Sequence, residues 1–118
     1  MIGKLTTHVL DTAHGCPAGG LNLTLWKIEN SEYSLLKTTK TNADGRTDEP
    51  LLVAEAFQVG VYELVFEVGA YFQHYGEDLP DPLFLDMIPI RFGIANANSH
   101  YHVPLLVSPW SYSTYRGS

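Results

Sequence analysis

Cysteine is almost absent. Cys16 is the only one, so no internal disulfide framework can form, and the chain suits a reducing compartment. Basic residues are also few: 7 Lys and Arg stand against 13 Asp and Glu, a formal net charge of −6 with histidines neutral. Such a surface repels phosphate backbones and anionic lipids, so neither nucleic acid nor membrane is an expected partner. No apolar run approaches the roughly 20 residues a membrane span needs. The opening stretch MIGKLTTHVL shows no apolar signal core followed by a small-residue cleavage site, and the expected location is cytoplasmic. Phosphate-loop chemistry is missing as well, because Gly19-Gly20 is not followed by Lys-Ser/Thr.

What remains is a globular composition, 45% hydrophobic and 17% charged over 118 residues. That length supports one domain, residues 1–118, with one modest core. Period-two alternation dominates it. Leu5, Thr7 and Val9 share one side of a strand, with Thr6, His8 and Leu10 on the other. Leu21, Leu23 and Leu25 line up in the next, and Tyr62, Leu64, Phe66 and Val68 form the clearest apolar face. Ile88, Ile90, Phe92 and Ile94 form another, followed by strands over 101–107 and 112–116, with shorter candidates at 33–41 and 51–54. Asn42-Ala43-Asp44-Gly45-Arg46 reads as a turn, with Asp44 bonding the backbone and Gly45 free to take positive φ. Residues 14–20 read as a loop, and Pro109 separates the last two strands. One short helix is expected around 70–77, carrying Tyr71, Phe72 and Tyr75 and ending before Pro80 and Pro82. Seven or eight short strands with regular turn signals indicate an all-β fold, a two-sheet antiparallel sandwich.

Several residues carry possible chemistry. His8 lies mid-strand and reads either as an acid–base group or as a histidine packed at a sheet edge. His100 and His102 are two apart, so in a strand they project from one face about 6.5–7 Å from each other. Three uses stay open on spacing alone: a structural role, a metal pair in need of further ligands, or acid–base work near neutral pH. His14 and His74 read as solvated. Arg46 follows the Asp44-Gly45 turn and is either an exposed ion-pairing group or a planar clamp for carbonyl and carboxylate oxygens. Cys16 lacks any neighbouring cue for an activated thiol. The ending Tyr115-Arg116-Gly117-Ser118 follows a strand-like run closely enough to dock into a site.

Together these segments resemble one family, the 5-hydroxyisourate hydrolases, the transthyretin-related enzymes of urate breakdown. The resemblance is carried by Leu5-Thr6-Thr7-His8-Val9-Leu10-Asp11, by residues 41–46, by residues 84–92, by His100-Tyr101-His102-Val103-Pro104 and by the final Tyr-Arg-Gly-Ser. It runs over essentially the whole chain. It implies an eight-stranded transthyretin-like sandwich assembled as a homotetramer, a dimer of dimers, with active sites in the channel between dimers. It also implies catalytic roles for His8, Arg46, His102 and Ser118, and substrate-binding roles for His8, Arg46 and Tyr115, with no metal and no organic cofactor. The implied substrate is a bicyclic oxidised purine, opened by water at an acyl C–N bond of its six-membered ring. The implied product is a ureido-imidazoline carboxylate. Three rivals are distinguishable. A transthyretin-type carrier of small ligands lacks the paired histidines, the arginine and the Tyr-Arg-Gly-Ser ending. A metal-binding sandwich would hold zinc through His100 and His102, and an immunoglobulin-like module would leave the histidines incidental.

Overall fold

The computed structural model describes residues 3–117. Nine strands occur among them, in chain order β1 (Lys4–Asp11), β2 (Cys16–Pro17), β3 (Asn22–Glu29), β4 (Glu32–Lys40), β5 (Leu52–Val53), β6 (Gly60–Glu67), β7 (Met87–Ile94), β8 (His100–Val107) and β9 (Tyr112–Thr114). One helix, α1 (Val68–His74), follows β6 directly. It begins two residues earlier than sequence suggests and buries Val68, Gly69, Tyr71 and Phe72, whereas Tyr75 is left half exposed. No described helix is long and apolar enough to cross a membrane.

Two sheets face each other. One runs β4-β3-β6-β7 with every pairing antiparallel. The other runs β2-β1-β8-β9, with β5 also on β1. The expected two-sheet antiparallel sandwich is present, with one parallel pairing at the centre of this sheet: β1 and β8 run parallel, with Thr6 opposite His102 and Lys4 opposite His100. Alternation within each strand cannot reveal this. It fixes which face is buried and leaves the neighbour's direction open.

The alternating faces close the core. Leu5, Val9, Leu105 and Val107 from one sheet meet Leu23, Leu25, Leu64, Phe66 and Ile88 from the other, and none of these is more than 1% exposed. Each such side chain contributes on the order of 1.5–3 kcal/mol by leaving water. The opposite side of β1 stays half buried at Thr6, His8 and Leu10, which leaves polar atoms of that row available outside the core.

Residues 14–20 are more ordered than a plain loop. The chain folds back so that β2 pairs with the end of β1, Cys16 opposite Asp11. His14 is exposed, as expected, but its polar atoms are engaged: its backbone N–H donates to Asp11 Oδ1 at 3.0 Å, its Nδ1 lies 2.6 Å from Asp11 Oδ2, and its Nε2 reaches Glu77. Asp11 is itself buried and also accepts the Tyr71 hydroxyl at 2.8 Å. A buried carboxylate is tolerable only when surrounded by donors in this way. The two acids hold the His14 imidazole above its ordinary pKa, chiefly through the hydrogen bonds to Asp11 and Glu77. His74 is exposed, as expected.

Candidate active site

Four chain segments lie side by side in the plane of the β1/β8 sheet. Arg46 bridges His8 on the free side of β1, and Gly117 bridges His102 on the free side of β8. Adjacent segments in a sheet are about 4.8 Å apart, so the row spans little more than one small molecule. His8, Arg46 and His102, three residues singled out from sequence, are thereby brought together. The His8 and His102 ring centroids stand 6.5 Å apart.

The turn that delivers Arg46 forms where expected, with Gly45 at positive φ, but the side chain that bonds its backbone is Asn42 and not Asp44. Asn42 Oδ1 accepts the backbone N–H of Asp44 at 2.9 Å, and the Asn42 N–H donates to the Arg46 carbonyl. Gly45 adopts φ +76° and lies so close to β1 that a Cβ there would stand 2.4 Å from the Val9 carbonyl oxygen. The Val9 N–H donates to Gly45 O at 2.8 Å, and His8 Nε2 lies 2.9 Å from Asp44 O. Those contacts pin the turn to the strand that carries His8. Arg46 is exposed, and no carboxylate pairs with it among the described residues, which leaves its guanidinium available.

The tail docks as well. The Gly117 N–H donates to His102 O at 2.8 Å, and a Cβ on Gly117 would meet His102 Cδ2 at 2.8 Å. Arg116 donates to the His100 carbonyl at 3.2 Å and stacks 3.9 Å from the centre of the Tyr101 ring. Tyr115 is 60% exposed and does not line the cleft. Ser118 lies outside the described residues.

A cleft of about 440 Å³ opens here, lined by Lys4, Thr6, Arg46, Asp48, Glu49, His100 and His102 among others. A larger hollow of about 630 Å³, walled by Leu36, Leu51, Leu52 and Tyr62 with two lysines, contains no imidazole. Acid–base chemistry belongs to the smaller one. Burial, then Arg46, His100 and His8, hold the His102 pKa below its ordinary value. Burial, Lys4 and Arg116 do the same to His100. Both rings are therefore neutral near pH 7, able to accept a proton.

Sequence reasoning missed Thr6. Its hydroxyl lies 2.7 Å from His100 Nε2 and 2.8 Å from His102 Nδ1. Alternation had placed Thr6 beside His8, but only the parallel β1–β8 register sets it between the histidines. The metal-pair reading finds no third ligand, since no group of three His, Cys, Asp or Glu converges among the described residues. Cys16 Sγ sits 3.8 Å from the Tyr75 hydroxyl, on the segment that folds back on the end of β1.

These features define a class: a small two-sheet sandwich with an arginine and neutral histidines gathered on the outside of one sheet, equipped for acid–base chemistry. The HIUase/Transthyretin family model matches residues 5–117. The chain belongs to that family. It is 61% identical over 117 residues to the 5-hydroxyisourate hydrolase of Ralstonia nicotianae, covering 99% of this chain and 100% of that one. Among solved structures, an (S)-allantoin synthase superposes with TM-score 0.94 at 50% identity, over 98% of this chain and 44% of that one. This chain thus corresponds to under half of the synthase. Sea bream transthyretin in complex with thyroxine gives a TM-score of 0.86 at 28% identity, over 97% and 94%.

Proposed function

We propose that this protein is a 5-hydroxyisourate hydrolase whose site is built from His8, Arg46 and His102, with Tyr115 and Ser118 joining from the tail. The observation that carries the reading is that Arg46 and His102 line one cleft, with His8 bridged to Arg46, its ring 6.5 Å from that of His102, and the His102 pKa lowered beside the guanidinium. Identity of 61% to a hydrolase, against 28% to a hormone-bound transthyretin, favours the enzyme over the carrier.

The chemistry follows from the groups present. His102 takes a proton from water as its oxygen bonds the acyl carbon of the six-membered ring, and the carbonyl electrons move onto the oxygen. Arg46 offsets the charge growing there. Collapse restores the carbonyl and breaks the C–N bond, while the leaving nitrogen receives a proton from His8 or from the imidazolium just formed. Ser118 orients an imidazole or the water, and Tyr115 packs on the planar substrate. Neither metal nor organic cofactor is required. The product of this scheme is the ureido-imidazoline carboxylate.

The reading takes residues 1–118 as one cytoplasmic domain working as a homotetramer, a dimer of dimers. Its support is the surface. Phe84, just before β7, and Trp110, between β8 and β9, are 68% and 57% exposed with ring centroids 6.1 Å apart, beside two open sheet edges. Large exposed aromatics next to unpaired edges mark association surfaces. A second subunit would also enclose the cleft and bring Tyr115 of one copy towards a site. Following the ultraviolet decay of freshly generated 5-hydroxyisourate tests the proposal. Wild type is expected to accelerate decay, and separate His8, Arg46 and His102 variants to lose that acceleration; decay no faster than buffer discards it.

A further inference from the structure

The Thr6 hydroxyl stands within hydrogen-bond distance of a nitrogen on each of two imidazoles, 2.7 Å from His100 Nε2 and 2.8 Å from His102 Nδ1. Those rings are 6.1 Å apart at 55°, so each presents an edge to the oxygen between them. A hydroxyl carries one proton, and a neutral imidazole one N–H. With both bonds made through one donated hydroxyl proton, only two arrangements exist. In the first, His100 Nε2–H donates to Thr6 and Thr6 donates to His102 Nδ1, which puts the His102 proton on Nε2, where it blocks base action. In the second, His102 Nδ1–H donates to Thr6 and Thr6 donates to His100 Nε2, which leaves His102 Nε2 bare.

We propose that Thr6 and His100 are positioning residues for His102: the Thr6 hydroxyl accepts the His102 Nδ1–H and donates to His100 Nε2, so that His102 Nε2 is bare as the base. This rests on the hydrolase reading for its purpose but not for its geometry. Arg46 lines the same cleft and its positive charge opposes an imidazolium at His102, so the ring rests neutral with a single N–H to place. The second arrangement then needs the least rearrangement during reaction. When His102 Nε2 captures a proton from water, the imidazolium keeps the same Nδ1–H bond, so no partner has to turn. A hydroxyl backed by an imidazole thereby does what a buried carboxylate does in a hydrolytic triad, holding tautomer and ring plane, without adding a negative charge.

The charged and titratable groups around the pair are Lys4 and His8 on β1, Arg46 on its turn, Asp48 and Glu49 in the next loop, and Arg116 on the tail. Apart from the two carboxylates, which line the same cleft, these groups oppose positive charge on the rings.

The test begins without substrate. Nitrogen-15 spectra of the histidine-labelled full-length protein near pH 7.5 are expected to show His102 protonated at Nδ1 and bare at Nε2, with His100 bare at Nε2. A proton found on His102 Nε2, or on His100 Nε2, overturns the proposal whatever the substrate is. In the second arm, Thr6→Val deletes the hydroxyl at nearly constant shape and Thr6→Ser keeps it. The valine variant is expected to lose about 10- to 100-fold in kcat with KM within about twofold, and the serine variant to recover most of it. The acid limb of the Thr6→Val profile should also move to lower pH, since a bond favouring the imidazolium is gone. Equal kcat and an unmoved limb in Thr6→Val and wild type refute the assignment. If Thr6→Val does not fold, the wild-type spectra and a His100→Asn variant, expected to lower kcat without raising KM, decide it. Loss of all turnover in wild type with the expected spectra would instead reject the hydrolase reading alone.

Discussion

Replacing Gly45 with alanine attacks the element that positions Arg46. The residue sits at φ +76°, where an L side chain costs about 1–2 kcal/mol. A Cβ there would also stand 2.4 Å from the Val9 carbonyl oxygen, with Pro17 Cβ at 3.2 Å and the Ala18 nitrogen at 3.3 Å. Those neighbours are backbone or held by it. Val9 O accepts the Ala18 N–H at 2.9 Å, and Val9 N–H donates to Gly45 O at 2.8 Å, so relieving the clash weakens one or both bonds. At about 0.5–1.5 kcal/mol each, the total comes to roughly 2–4 kcal/mol. Gly15 provides the control, with φ +68° and nothing within 4 Å of its imagined Cβ; Gly15→Ala incurs only the conformational part. With an m-value of about 2 kcal/mol/M, the urea midpoint of Gly45→Ala should fall by roughly 1–2 M, clearly further than that of Gly15→Ala. Turnover should fall as well, because the turn also bonds His8 through the Asp44 carbonyl. Equal midpoints for the two variants would refute the packing argument.

Further outcomes follow from the charged groups. His14 has a raised pKa, so its stabilisation is fully present below the unfolded value of about 6.5 and is lost as pH climbs through the folded value. Urea titrations of wild type and His14→Gln should therefore differ most in mild acid and converge in alkali. His100 and His102 work oppositely, since their lowered values give stability above about pH 6.5 that is lost as pH falls through the folded pKa. A His100→Asn, His102→Asn double variant should accordingly flatten the acid side of the wild-type stability curve. Tyr71→Phe removes one donor from buried Asp11 and should cost about 1–3 kcal/mol by thermal or urea unfolding, with kcat unchanged.

Much of the sandwich is legible as written. Tyr62, Leu64 and Phe66 against Glu63 and Glu67, or Leu5, Thr7 and Val9 against Thr6 and His8, assign faces because the strand period is two. The Asn42–Arg46 turn is equally readable, since its bonds are local. What escaped depends on partners far away in the chain. The parallel β1–β8 pairing joins segments nearly a hundred residues apart, and Thr6 acquires its place between two imidazoles only through it. His14 is exposed as read, but its bond to Glu77 escaped because that residue lies 63 positions away, beyond α1. Tyr115 remains at the surface of the single chain, where neighbouring residues say nothing of a second copy.

The central claim is that a neutral His102 beside Arg46 abstracts the proton of the attacking water. The pH dependence of kcat/KM for 5-hydroxyisourate decay, measured from pH 5 to 8 on wild type and on His102→Asn, tests it most directly. Wild type is expected to show a single acid limb with its midpoint below 6.5, the ordinary imidazole value, and the variant a loss of about 10²–10⁴-fold without that limb. A midpoint above that value, or an unaltered limb in His102→Asn, contradicts it.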